Sequence, residues 1–301
     1  MNQGWVYQDQ IHSKDAGLTV IEYYVRRYHH STYHEWLDRI LSGQILLNNQ
    51  TVTPETCLKV GQYLSYNRPP WKEPDVPLFF EILFEDEHLL IINKPSGLPV
   101  LPGGGFLEHT LLWQLTKRYP RDQIAPIHRL GRGTSGLMMI GRSRVACSNL
   151  TQQMRDRHIH KVYRTLVGKC DLPDKFIINH SIGKIPYPGL GYIYAATPHG
   201  KFAYSECRVL ERTNQNTFLE VTILTGRPHQ IRIHLAAMGY PLLGDPLYTI
   251  GGIPKVNDIN KLVVPGDCGY YLHAYQLSFL HPITNQSLNF ICPEPDSYFK
   301  L

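Results

Sequence analysis

Long apolar runs are missing from this chain of 301 residues. Nothing in it approaches the roughly 20 consecutive apolar residues that a membrane-spanning helix needs, and Met1-Asn2-Gln3-Gly4 opens no signal-peptide core. The six cysteines (Cys57, Cys147, Cys170, Cys207, Cys268, Cys292) form no C-x-x-C pair, which excludes a zinc knuckle or a redox motif of that type. They read as buried thiols, and a soluble cytoplasmic protein is expected. His29, His30 and His34, like His158 and His160, have ligand-like spacing, but no cysteine or clustered carboxylate stands beside them, so no metal is expected. No repeat period is present. With 43% hydrophobic and 18% charged residues, the chain has enough apolar content for a sizeable core, and a disordered or fibrous protein is excluded.

Charge of one sign is scarce overall, at a formal +5, yet it is unevenly placed. Up to Pro77 there are 7 Lys+Arg against 8 Asp+Glu, while the remainder holds 23 against 17. Between Lys117 and Leu166 eleven basic residues (Lys117, Arg118, Arg121, Arg129, Arg132, Arg142, Arg144, Arg155, Arg157, Lys161, Arg164) meet only Asp122 and Asp156. The block is interleaved with core-like residues such as Leu137-Met138-Met139-Ile140, so it reads as a folded basic face for a polyanion rather than a tail.

Four prolines in the ten residues Arg68 to Pro77 prevent continuous helix or central strand. Residues 71–78 therefore read as a linker between a small module (1–70) and a larger domain (79–301). In the module, Ser31-Thr32 caps a helix through Trp36, Leu37, Ile40 and Leu41 that Gly43 ends, and Asn48-Asn49-Gln50 turns a hairpin. In the domain, hairpin strands are expected at Phe80–Phe84 and Leu89–Asn93, followed by a helix through Leu111, Leu115 and Tyr119. A buried strand at Leu137–Ile140 and a helix capped by Ser143 come next. Further strands are expected at Lys161–Val167 and Phe218–Leu224. Ile231, Leu235 and Met238 mark one face of a short helix closed by Gly239. Strands and helices mix without βαβ alternation, so the fold class is α+β.

Gly131-Arg132-Gly133-Thr134-Ser135-Gly136 satisfies G-x-G-x-x-G, with Asp156 downstream. A dinucleotide loop requires a helix immediately after it, and the strand-like Leu137–Ile140 stands there instead. No nucleotide cofactor is expected.

The same segment, Pro126-Ile127-His128-Arg129-Leu130-Gly131-Arg132-Gly133-Thr134-Ser135-Gly136-Leu137, resembles the central H-R-L-D-x-x-T-S-G-L motif of the RluA-type RNA pseudouridine synthases. Leu83 to Leu98 looks like the family's first motif and Lys161-Val162-Tyr163 like its K-x-Y element. Thr225 to Leu235, followed by Gly244-Asp245-Pro246-Leu247-Tyr248, looks like its third motif, and Leu272-His273-Ala274 and Leu280-His281-Pro282 match its closing strands. The resemblance covers about Phe79 to Pro293. Residues 35–66 resemble the small α-L RNA-binding module that often precedes that domain.

The resemblance implies a largely antiparallel mixed sheet with flanking helices and a basic cleft. It also implies isomerisation of a flipped-out uridine in transfer or ribosomal RNA, without cofactor or metal. The expected partner is RNA, with no membrane, and a monomer is the default. By the same resemblance Tyr163 stacks on the uracil and assists removal of its carbon-bound proton, and Arg227 pairs with the catalytic aspartate. His128, Arg129, Arg132, Thr134, Ser135, His229, Gln230 and Arg232 line the nucleotide. This chain departs from the family at one place: the position of the aspartate is Gly131. Three alternatives follow. A carboxylate from elsewhere, Asp122 being nearest in sequence, enters the site; or Thr134, Ser135 or a held water does the work, which needs a general base; or the chain binds and remodels RNA without catalysis.

Overall fold

The computed structural model describes residues 1–169, 171–255 and 264–299. Two compact units divide the chain: residues 1–73 with 186–192, and residues 74–185 with 193–301.

The first unit runs β1 (Trp5–Gln10), α1 (Val20–Arg27), α2 (Tyr33–Leu41), β2 (Ile45–Leu47), β3 (Gln50–Thr51) and β4 (Tyr63–Arg68), with the strands paired in the order β1-β4-β2-β3. Both helices start with a Thr-x-x-Glu capping box, Thr19 with Glu22 and Thr32 with Glu35. Each box satisfies backbone donors that a helix start otherwise leaves orphaned. The second helix is the expected one. The first, and strand β1 before it, were not anticipated. Asn48 and Asn49 adopt φ of 50° and 65°, the left-handed pair that a two-residue hairpin turn needs. Trp36, Tyr23, Tyr24, Ile40, Ile45 and Leu64 form the buried core.

The second unit continues with β5 (Glu81–Glu85), β6 (Leu89–Lys94), α3 (Leu111–Arg118), β7 (Ala125–Pro126), β8 (Ser135–Gly141), α4 (Arg144–Arg155), β9 (His160–Gly168) and β10 (Lys175–Ile178). A hairpin of β11 (Ile182–Tyr187) and β12 (Gly191–Ala196) follows, of which residues 186–192 are grouped with the first unit. Then come β13 (Ser205–Arg212), β14 (Asn216–Ile223), α5 (Gln230–Ala237), the short pair β15 (Tyr248–Thr249) and β16 (Ile253–Pro254), β17 (Leu272–Leu280) and β18 (Ser287–Ile291). Ten strands make one sheet in the order β10-β13-β14-β9-β17-β8-β6-β5, with β18 on β17 and β7 on β8. The pairing of β17 with β8 is parallel and the other pairs are antiparallel, so the sheet is mixed and largely antiparallel.

All seven residues of β8 are buried, which accounts for its apolar run Leu137–Ile140: a central strand covered on both faces does not alternate. The register lays one row across the centre of the sheet. Lys94 lies opposite Gly136, Gly136 opposite Ala274, Ala274 opposite Tyr163, and Tyr163 opposite Val221. Gly136 has φ of 99°, and a Cβ there would run into the Ala274 backbone, so glycine is required for strands β8 and β17 to meet.

One element departs from expectation. Helix α5 has no solvent face: residues 230 to 236 are all buried, polar ones included. Its apolar spacing identified one packed side and gave no sign of the second. The cysteines depart too. Cys207 and Cys292 are buried, but Cys57 is exposed, and Cys170 lies outside the described residues.

Candidate active site

The loop that resembles the family's central motif enters β8 through a turn in which Thr134 N–H donates to Gly131 O at 3.0 Å. After Gly136 comes a strand, not a helix, which removes the dinucleotide geometry. A second loop clamps this one. Gly97 N–H donates to Arg132 O at 2.8 Å, Arg132 Nε to Gly97 O at 3.1 Å, and Ser96 Oγ to Gly133 O at 2.8 Å. Beneath them the fully buried Lys94 donates through Nζ to the carbonyls of Pro95, Leu98 and Arg132 at 2.8, 2.9 and 3.2 Å. Burial pulls its ammonium down to about 7, and three carbonyl acceptors match its three N–H donors. Arg132 is thereby turned onto the clamping loop, with its guanidinium 4.9 Å from the Phe106 ring.

The space where a side chain at position 131 would begin is not empty. A Cβ on Gly131 would lie 2.8 Å from the hydroxyl oxygen of Tyr270 and 3.4 Å from Thr134 Oγ1. A Cβ on Gly133 would lie 2.9 Å from two carbons of the same ring. Tyr270 is 5% exposed, and its hydroxyl is 3.3 Å from Thr134 Oγ1. Its ring carries the guanidinium of Arg232 at 4.1 Å. Arg232 in turn is held by Asp245 through two charge-assisted hydrogen bonds of 2.7 Å each. The pair is almost completely buried, at 2% and 0% side-chain exposure. Burial alone would raise the Asp245 carboxyl. The Arg232 contacts and the N–H groups of Tyr248 and Leu247 outweigh it, and hold the carboxyl below its ordinary range.

Arg227 has no carboxylate at position 131 to meet. Its Nε donates to Phe202 O at 2.9 Å, and no ion pair involves it among the described residues. The arginine bound to a carboxylate is Arg232, five residues on, and the carboxylate is Asp245. Asp122 is also excluded as the missing group. It is bound to Arg142 Nε at 2.6 Å, and Arg142 follows the far end of β8, about 20 Å of strand away from Gly131.

The remaining expected residues fall into two groups. Tyr163 is buried in the central row, and burial pushes its phenol up to about 12. Arg129 is exposed with no ion pair among the described residues. His128 accepts from Met139 N–H through Nε2 at 3.2 Å, and burial followed by the Lys161 charge holds its imidazole down to about 3. Ser135 is bonded to His273 Nδ1 at 2.8 Å, whose Nε2 donates to Cys292 O at 2.9 Å. His229 takes the left-handed φ of 55° and is bonded through Nδ1 to Tyr248 Oη at 2.7 Å. Gln230 makes four bonds: Oε1 accepts from Thr225 Oγ1 and Arg227 N–H, and Nε2 donates to Tyr204 O and Ser205 Oγ. Of these, Arg129 alone is exposed. The others are tied into the framework, and Thr134 reaches the Gly131 position through Tyr270.

Comparison with known proteins agrees with this architecture. Residues 88–237 match the family described as RNA pseudouridylate synthase. An uncharacterized RNA pseudouridine synthase of Synechocystis sp. is 53% identical over 92% of this chain and 94% of its own length. The chain belongs to the RluA-type RNA pseudouridine synthases. RNA pseudouridine synthase 5 of Arabidopsis thaliana is 39% identical over 98% of this chain and 94% of its own. The solved human RNA Pseudouridylate Synthase Domain Containing 1 has the same fold, with a TM-score of 0.57 at 22% identity over 74% of this chain and 87% of that one.

In this pseudouridine synthase the basic block is only partly available to RNA. Arg132, Arg142, Lys161 and Arg164 are committed internally: to Gly97 O, to Asp122 and Glu85, to Met154 Sδ, and to Glu294 and Glu220. Lys117, Arg118, Arg121, Arg129, Arg144, Arg155 and Arg157 are exposed. Among the described residues, no three His, Cys, Asp or Glu side chains converge to hold a metal. Sequence reasoning missed Tyr270, Lys94 and the role of Asp245. Lys94 and Asp245 lie inside motifs already singled out, whereas nothing in Gly269-Tyr270-Tyr271 marked the hydroxyl at position 131.

Proposed function

We propose that the protein isomerises a uridine within folded RNA, of the transfer or ribosomal class, to pseudouridine. Supporting this most directly is the row that sets Tyr163, across Ala274, beside Gly136 at the end of the Gly131 loop. Tyr163 and the end of that loop thus lie on one register row, with β17 between their strands. Substrate and product have the same atoms, so the reaction consumes no co-reactant. The extruded base would stack against Tyr163, and the exposed Arg129 would meet the phosphate flanking the vacated stack. The protein acts as a monomer in the cytoplasm, where its cysteines stay reduced.

A second reading, RNA binding without catalysis, is favoured by one observation: Gly131 supplies no group of its own. Tritium release from RNA carrying uridine labelled at carbon 5, measured on separate transfer and ribosomal RNA pools, distinguishes the two. Release from either pool is the expected result. Salt-sensitive binding with no release from both would establish the second reading and refute the first.

A further inference from the structure

We propose that the Tyr270 hydroxyl takes the place of the missing carboxylate and serves as the acid–base group of the isomerisation. The inference rests on the function proposed above and names the residue that carries it out.

The geometric argument is direct. Bond lengths of about 1.5 Å for C–C and 1.2 Å for C–O put the carboxylate oxygens of an aspartate roughly 2.4 Å from its Cβ. The Tyr270 oxygen lies 2.8 Å from the Cβ position of residue 131, within the space that an aspartate side chain there would need. It is also a supported oxygen. Thr134 Oγ1 at 3.3 Å orients it, and the Arg232 guanidinium lies 4.1 Å from the ring centroid. Asp245 holds that guanidinium at 2.7 Å through both oxygens, so the cation is fixed in place. Burial raises the phenol and the Arg232 charge works against that rise; the net direction is upward, so the hydroxyl keeps its proton at neutral pH.

A protonated phenol suits this reaction because the net change is transfer of one proton from carbon 5 to nitrogen 1 of the base. As the N1–C1′ bond breaks, its electron pair leaves with the uracil, and the phenol proton passes to N1. The cation at C1′ then faces a phenolate that the Arg232 guanidinium stabilises. The base turns, the C5=C6 π pair forms the bond from carbon 5 to C1′, and the carbon-5 proton passes to the phenolate oxygen while its C–H electron pair restores the double bond. The phenol is restored, and no external acid, base or nucleophile is used.

The test compares the wild-type chain with Tyr270→Phe, which keeps the ring under Arg232 and removes only the hydroxyl. Tritium release from carbon-5-labelled RNA should fall at least about 100-fold with RNA affinity unchanged. The wild-type rate should decline at high pH as the phenol ionises. A loss of less than about threefold would overturn the proposal, because general acid–base groups contribute far more. Gly131→Asp combined with Tyr270→Phe keeps the two failures apart. If the wild type is silent and the double variant releases tritium, the scaffold is a synthase and Tyr270 is only a plug, which overturns this inference. If neither releases tritium from any RNA, the functional reading fails and the inference falls with it.

Discussion

The N-terminal unit carries more local signals than the candidate active site. In it each capping box spans three residues and the Asn48-Asn49 turn joins adjacent strands, although β1 still pairs with the distant β4. In the site the decisive contacts are distant. The Gly131 position is filled by Tyr270, Ser135 meets His273 across 138 residues, and Gly136 packs on Ala274. Local signals are individually cheap to lose, while the long-range contacts are buried and mutually dependent. Mutations in the second unit should therefore cost more than equally conservative ones in the first.

Arg232→Ala should have the largest effect. It leaves the buried Asp245 carboxylate without its counter-ion and should lower stability by about 3–5 kcal/mol, read from the urea midpoint. Arg227→Ala, in the same segment, should cost less than about 0.5 kcal/mol. Equal costs would erase the distinction between the two arginines. Next comes Gly136→Ala, where left-handed backbone and contact with Ala274 act together. It should cost roughly 3 kcal/mol in the same measurement.

Acid should act on the second unit through its buried imidazoles. His234 is bonded to Ser205 Oγ and His180 O, both at 3.0 Å, and burial holds it down to about 4. His229 is likewise held down to about 4, first by burial and then by the Arg232 charge. Unfolded, each takes up a proton near pH 6.5; folded, each stays neutral until about 4. Their contribution is therefore complete above pH 6.5 and is lost as pH falls through that window, by up to about 1.4 kcal/mol per pH unit for each. Chemical denaturation at pH 7 and pH 5 should resolve this, and His234→Gln should flatten the slope. Thr32→Ala, the N-terminal counterpart, should cost about 1 kcal/mol through loss of one cap, visible as a small shift in thermal midpoint.

Much of the fold was legible because the informative residues are neighbours. Thr32 to Leu41 shows cap, periodicity and stop within a dozen positions, and Leu137 to Ile140 shows a fully buried strand without reference to its partners. Helix α1 was legible in principle through Thr19 and Glu22, which repeat the same box. The site was legible as motifs but not as contacts. The spacing of Arg227 and Arg232 in one motif could not say which reaches a carboxylate, because that depends on the turn at His229 and on Asp245 folding back over α5. Asp122 looked near Gly131 in sequence, yet β8 carries the two apart.

By itself the sequence determined the family, the α+β class, most of the strands and helices, and the absence of an acidic residue at position 131. These depend on residue identity and short-range periodicity, which backbone geometry reads directly. Only the tertiary structure decided what stands in place of that acid. The answer lies 139 residues away, in a tyrosine just ahead of β17 that is held against an arginine whose charge is balanced by a third segment. No local pattern encodes such a meeting, because it exists only once β8, α5 and β17 have packed together.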